Sequence, residues 1–247
     1  MSIPWSYASQ QVMVIHDIHA PDTGLLTEVK ASRLLLGDCR HRLHDLPDNS
    51  VDCIITDPPY GIGYFSRSRT LLRVRVTNDD AGAYKLLDQA LALAWRKLKA
   101  NSHIYVFTTW QAFTPMAAVV RKYFNLKNVL VWVKNNRTRG DLKGNYGYQH
   151  EMILYAHKGR RHLLGGRDAN ILYFDKVPMQ AMQHPTEKPV KLLEYLLSKS
   201  TAEGETVLDM FMGSGSTCVA AQRLRRRYIG IELERVWYDI AAARLAA

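Results

Sequence analysis

The stretch that decides the fold is Glu205–Leu233, "ETVLDMFMGSGSTCVAAQRLRRRYIGIEL". Its first part, "ETVLDMF", is a short apolar run carrying an acid, and it reads as a buried strand. Gly213 and Gly215 follow, and glycine permits positive φ and close approach of the main chain to a ligand. "STCVAAQRLRR" has apolar residues at helical spacing, so a helix starting near Ser216 offers free N–H groups at its first turn. The cations at its end, Arg223–Arg227, suit the negative end of a helix dipole. "RRYIGIEL" is a second buried strand and sets Glu232 at its end. Strand, glycine turn, helix and strand-ending acid form the general plan of a nucleoside site in an open α/β sheet, with the acid accepting from ribose hydroxyls. Cys218 stands where the dinucleotide fingerprint has its third glycine, so the pattern does not require a pyrophosphate.

The rest of the chain extends the same alternation. "SRLLLGD", "VDCIITD", "SHIYVFTTW", "KNVLVWVK" and "HEMILYAHK" read as further strands. "AYKLLDQALALAWRKLK", "TPMAAVVRKYF" and "KPVKLLEYLLSKST" read as helices. Strands alternating with helices predict an α/β fold, a mostly parallel twisted sheet with helices on both faces. The expected organisation is an N-terminal extension over residues 1–32 and a single domain over 33–247. Polar, basic, glycine-bearing loops fall at about 61–80, 134–148 and 158–183, and long loops in a compact domain are usually functional.

"TDPPYGIGYF", Thr56–Phe65, closes the "VDCIIT" strand. Two prolines lack donor N–H groups and fix φ, so neither strand nor helix continues through them. Asp57 therefore sits where a buried strand ends, and Tyr60 follows on a stiff turn.

Composition narrows the function classes. The chain has 247 residues, 47% of them hydrophobic, enough for one large core. No apolar run is long enough to span a bilayer, and "MSIPWSYASQ" lacks a signal-peptide pattern. Cys39, Cys53 and Cys218 lie far apart, which argues against a disulfide framework or thiolate zinc site and fits a reducing cytoplasm. The pairs His16/His19 and His41/His44 lack further ligands, so no metal is expected. The formal charge of +10, from 33 basic and 23 acidic residues, suggests a polyanionic partner.

Taken together, the motifs resemble the amino-group DNA methyltransferases that use S-adenosylmethionine. "DPPY", Asp57–Tyr60, looks like their catalytic motif, and "DMFMGSGST", Asp209–Thr217, looks like their cofactor loop. "HPTEKP", His184–Pro189, is similar to the segment that precedes that loop, and "LLLGD", ending at Asp38, to the strand end that contacts adenine. The likeness covers roughly residues 33–240. Its order, catalytic motif before cofactor loop with a basic segment between, is similar to the β group of these enzymes.

The resemblance implies a Rossmann-like methyltransferase fold and a reaction at adenine N6 of double-stranded DNA, with cytosine N4 as the alternative. It implies a catalytic set of Asp57, Pro58, Pro59 and Tyr60. The cofactor set is Asp38, Cys39, Thr186, Lys188, Asp209, Phe211, Gly213, Ser214, Gly215, Ser216, Thr217 and Glu232, with Lys188 and Thr186 directed to the cofactor carboxylate. An exocyclic amino nitrogen is a poor nucleophile, and acceptors fixed on its two N–H groups, the Asp57 carboxylate and the Pro58 carbonyl, favour a tetrahedral nitrogen. A base inside a duplex must flip out to reach them, and Tyr60 offers it a stacking face. The basic loops supply the candidate DNA contacts Arg67, Arg69, Lys134, Arg137, Arg139, Lys143, Arg160 and Arg161. A homodimer is expected, with "LLEYLL", Leu192–Leu197, and the N-terminal extension as interface candidates. The likeness leaves open whether a restriction endonuclease accompanies the protein. Two competing readings remain: a nicotinamide-dependent oxidoreductase built on Gly213, Gly215 and Glu232, and a non-catalytic nucleic-acid-binding module.

Overall fold

The computed structural model describes residues 31–63, 77–137 and 143–247. The expected extension at 1–32 falls almost entirely outside them, as do Arg67, Arg69 and Arg139. The described chain runs β1 (Arg33–Leu36), α1 (Cys39–Arg42), β2 (Val51–Thr56), α2 (Ala83–Lys97), β3 (Leu98–Thr108), α3 (Phe113–Tyr123), β4 (Asn125–Val133), β5 (His150–Lys158), β6 (Ile171–Tyr173), α4 (Val190–Ser200), β7 (Thr206–Asp209), α5 (Ser216–Arg223), β8 (Arg227–Glu232) and α6 (Arg235–Ala246). The strands form one sheet in the order β1-β8-β7-β2-β3-β5-β4-β6. β5 runs antiparallel to both its neighbours, and every other pairing is parallel.

Strand β2 shows why the sequence folds this way. All six of its residues are buried, as a strand covered on both faces requires. Ile54 enters the core under α1, α2 and α3, while Cys53 and Ile55 enter the core under α4, α5 and α6. In β3, Ile104 and Val106 face the first core and Tyr105 and Phe107 the second. The leucines of "LLEYLL", Leu192, Leu193, Leu196 and Leu197, are spent in the second core. That corrects their candidacy as an exposed interface: they are the inward stripe of α4.

Two elements depart from the sequence reading. β6 lies within the expected loop at 158–183 and pairs with β4, Val131 opposite Ile171; three residues are too few to show a pattern. α6 buries Tyr238, Ala241 and Leu245, but its alanine-rich sequence carries little amphipathic contrast. Among the described residues no helix is long and apolar enough to cross a membrane.

The parallel arrangement positions the site. β1, β8, β7, β2 and β3 are neighbours and all end at the same edge of the sheet. Asp38, Glu232, the glycine turn and Asp57 therefore converge there, on strands about 4.8 Å apart. This is the edge at which open α/β sheets bind ligands.

Candidate active site

Beyond β2 the chain turns at Pro58 and Pro59, and Asp79 pins the far side of the turn. Asp79 Oδ1 accepts from the N–H groups of Gly61 at 2.5 Å and Ile62 at 3.3 Å. The Tyr60 hydroxyl donates to Asp57 Oδ1 at 2.6 Å, and Lys188 Nζ donates to Asp57 Oδ2 at 2.5 Å. Burial pushes the Asp57 carboxyl above its ordinary range; Lys188 opposes that shift and Glu151 adds to it. Burial, followed by the Asp57 charge, holds the Tyr60 phenol well above its ordinary value, so it stays a donor.

Lys188, expected at the cofactor carboxylate, lies against the catalytic turn. It does not face open solvent at a helix start: its side chain is 8% exposed, and its ammonium lies between Asp57 Oδ2 and Glu151 Oε2, the latter at 3.3 Å. Burial disfavours the ammonium, but the two carboxylates outweigh burial and raise its pKa. Glu151 Oε1 in turn accepts from Lys134. Lys134, Glu151, Lys188 and Asp57 thus form a largely buried row of alternating charge drawn from the ends of β4 and β2, from β5 and from the lead into α4. Glu151 was missed because "HEMILYAHKG" reads as core. An acid on the inward face of a strand, in phase with Ile153 and Tyr155, is the signal that finds it.

The glycine turn is braced from behind. Gly213 and Gly215 have φ of 53° and 81°, and a Cβ on Gly215 would meet Ala241 Cβ at 2.9 Å. Arg244 of α6 donates to Ser214 O at 2.8 Å and pairs with Glu187 at 3.0 Å. Gln183 N–H donates to the other Glu187 oxygen, so Glu187 and Arg244 fasten the "HPTEKP" segment to the glycine turn. Asp209 lies under the turn, where the Thr56 hydroxyl (3.2 Å) and the Phe211 N–H (3.1 Å) donate to its Oδ1. Burial pushes its carboxyl up to about 7. Burial also brings the His184 imidazole down to about 4, where it is neutral; Thr186 N–H donates to its Nδ1, and its ring stands edge-on to Trp237.

Glu232 accepts from Gly213 N–H (2.9 Å) and Glu234 N–H (2.8 Å), which fixes its carboxylate beside the turn. Asp38 caps α1 through Arg40 N–H and is also gripped by the Arg40 guanidinium, which holds its carboxyl below the usual range. The Cys39 thiol is pushed up to about 12 by burial and stays protonated.

All the expected catalytic residues line one cleft of about 690 Å³, as do all the expected cofactor residues except Gly215, which sits in the turn between the lining Ser214 and Ser216 and packs on Ala241. The cleft fits a nucleoside cofactor without phosphates. It holds two fixed carboxylates and a glycine turn, while the cations nearest the turn, Arg244 and Lys188, are already engaged by carboxylates. Trp110 and Tyr148 stand at its mouth with ring centroids 5.8 Å apart. Among the described residues no group of three or more His, Cys, Asp or Glu is arranged to hold a metal.

The candidate DNA residues divide. Arg137 and Lys143 are exposed on the segment between β4 and β5, next to the cleft-lining Lys134 and Tyr148. Lys134 itself is a partner of Glu151 rather than an open surface cation. Arg160 and Arg161 lie elsewhere. β5 runs opposite to β2 and β3, and its end at Lys158 pairs with Ser102 near the start of β3. They therefore lie beyond the far edge of the sheet, about 20 Å along it from the Asp57 edge. There Arg161 pairs with Glu205 at 2.6 Å.

Fold and cleft together define a methyltransferase that uses S-adenosylmethionine. The model of the N6/N4 DNA methylase family matches residues 51–183 and 168–243. YubD of Escherichia coli (strain K12) is 35% identical over 217 residues, covering 87% of this chain and 91% of YubD. Type II methyltransferase M2.DpnII of Streptococcus pneumoniae is 31% identical over 231 residues, covering 83% and 86%. The structure of the M1.HpyAVI–SAM complex superposes with a TM-score of 0.68 at 26% identity, covering 87% of this chain and 98% of that one. The chain belongs to the N6/N4 family of DNA methylases. Its cofactor is S-adenosylmethionine and its substrate is DNA, which removes the oxidoreductase and the non-catalytic module.

Proposed function

We propose that the protein is a site-specific methyltransferase acting on adenine N6 in double-stranded DNA by base flipping. The observation that carries the reading is Asp57 at the head of the diprolyl turn, its carboxylate held by Tyr60 and Lys188 at the floor of the cleft. In the enzymes this chain resembles, aspartate at that position usually accompanies adenine and serine usually cytosine.

S-adenosylmethionine, when bound, supplies an electrophilic methyl group. Glu232 and Asp38 would hold its ribose and adenine, and the Phe211–Thr217 turn, with Thr186, its methionine end. Asp57 and the Pro58 carbonyl accept from the two N–H groups of the target nitrogen and steer its lone pair away from the ring. Because the turn is stiff and pinned by Asp79, these acceptors need no rearrangement when the base arrives. Tyr60 gives the flipped base a face, a contact worth about 1–3 kcal/mol. The exposed Trp110 and the half-buried Tyr148 flank the entrance to the cleft.

Duplex DNA would lie across the cleft mouth, held by Arg137 and Lys143 together with the sequence candidates Arg67, Arg69 and Arg139. The working form would be a homodimer in the bacterial or phage-infected cytoplasm, with residues 33–247 as the catalytic domain, whether or not a restriction endonuclease is its partner. Each subunit would then address one half of a palindromic site. Mass analysis of nucleosides from duplex DNA methylated by the purified protein tests the target. N6-methyladenine is the expected product, and N4-methylcytosine would overturn the adenine reading.

A further inference from the structure

Both oxygens of Asp57 already have donors, Tyr60 on Oδ1 and Lys188 on Oδ2. An incoming amino group competes with these donors, and Lys188 has somewhere else to go. Glu151 Oε2 lies 3.3 Å from its ammonium, an ion-pair contact short of a well-aligned hydrogen bond, is buried, and has no other donor among the described residues. The other Glu151 oxygen is taken by Lys134.

We propose that Lys188 is a positioning residue that exchanges carboxylates during the reaction. It bonds Asp57 Oδ2 while the base pocket is empty, and it moves onto Glu151 Oε2 when the target amino group takes its place. The proposal rests on the reading that Asp57 receives that amino group.

Three physical arguments support the exchange. An ammonium on a four-carbon stem has three rotatable donors, so a shift of roughly half an ångström shortens and aligns the 3.3 Å contact into a strong hydrogen bond. The cation stays within a few ångströms of Asp57 throughout, so the buried carboxylate keeps its counter-charge. No donor or acceptor is stranded at either end of the move, because the amino group replaces the ammonium on Asp57 and the ammonium fills the open acceptor on Glu151.

The surroundings hold the pair in this balance. Tyr60 faces Asp57 from its own turn, Asp209 from the end of β7, and Lys188 and Glu151 from the lead into α4 and from β5. Lys134 and Lys176 lie behind Glu151, and His184 lies behind Lys188. The Thr186 carbonyl, 3.3 Å from Lys188 Nζ, steadies the ammonium between the two carboxylates.

The test uses Lys188→Met, Lys188→Arg and Glu151→Gln in the full chain. Single-turnover methyl transfer to duplex DNA is followed over roughly pH 5 to 9, alongside calorimetric titration with S-adenosylmethionine. Removing the cation makes Asp57 easier to protonate, so Lys188→Met should move the acidic limb of the rate profile to higher pH. Removing the second anion should move the limb of Glu151→Gln to lower pH, the opposite direction. Both variants should transfer about tenfold to a hundredfold more slowly on the plateau, as expected when a hydrogen bond to a buried charge is removed. Lys188→Arg, whose planar fork can span both carboxylates at once, should restore the limb but not the rate.

Cofactor affinity should stay within about twofold in all three, since no step of the exchange touches the cofactor. A large loss of cofactor affinity in Lys188→Met would return Lys188 to the cofactor carboxylate and overturn the proposal. Limbs that move together, or not at all, would also overturn it. If Lys188→Met fails to fold, the isosteric Glu151→Gln decides alone, and an unchanged profile and rate refute the exchange. An Asp57→Asn control separates the failures: full activity there refutes the role of Asp57 itself, whatever the lysine does.

Discussion

Arg244 Nη2 lies 3.0 Å from Glu187 Oε1, and the same guanidinium donates to Ser214 O. One residue near the C-terminal end thereby ties the glycine turn to the segment that leads into α4, two stretches that share a wall of the cleft. Glu187 is 4% exposed at its side chain, so deleting its partner strands a buried charge. Arg244→Met is expected to lower stability by about 3–5 kcal/mol, read from urea unfolding. It should also weaken S-adenosylmethionine binding, read by calorimetry. A variant with wild-type stability and affinity would show that α6 merely covers the sheet.

Asp209 makes stability depend on pH in an unusual direction. Its folded pKa is raised from 3.8 to about 7. Between those values the unfolded chain is ionised while the folded chain holds its proton, so this group's contribution to stability falls as pH rises and is fully lost only above the folded pKa. The shift corresponds to about 4 kcal/mol at pH 8. Asp209→Asn, neutral at every pH, should therefore gain on the wild type in thermal midpoint between pH 5 and pH 8. Taking the difference between the two proteins cancels the opposing loss from His184, whose depressed pKa of about 4 destabilises as pH falls below 6.5. A difference that is flat with pH would mean Asp209 is ionised in the folded protein.

DNA binding should distinguish the two edges of the sheet. Replacing Arg137 and Lys143 by glutamine should weaken binding and flatten the plot of log affinity against log salt by about 0.9 for each phosphate no longer neutralised. Arg160→Gln, at the opposite edge, should leave that slope unchanged. The reverse result would place the duplex on the wrong side of the molecule.

Much of this was legible in the sequence. The β2 run and its diprolyl stop, and the β7–glycine–α5–β8 passage, gave both halves of the cleft, because buried strands and positive-φ glycines leave strong local patterns. The direction of β5 was not legible. An antiparallel strand buried on both faces has the same composition as a parallel one, and its reversal alone carries Arg160 and Arg161 away from the site. Glu151, Glu187 and Arg244 were missed because each matters through a partner far away in sequence. Lys188 was found, but its contact with Asp57, 131 residues away, was not legible in the local sequence.

The separation of roles within the cleft gives the central test. On the proposed reading, Glu232, fixed by Gly213 and Glu234, holds the cofactor, and Asp57 receives the target nitrogen. Glu232→Ala should weaken S-adenosylmethionine binding at least about tenfold, since hydrogen bonds to a charged acceptor are worth about 1.5–3 kcal/mol.

The most direct measurement is single-turnover transfer of a labelled methyl group to duplex DNA by Asp57→Ala, at a cofactor concentration shown by calorimetry to saturate that variant. The account predicts cofactor affinity close to wild type and transfer lowered by about a hundredfold or more, since one preorganised contact to the reacting group is typically worth that much. Transfer at the wild-type rate, or loss of the cofactor itself, would contradict it.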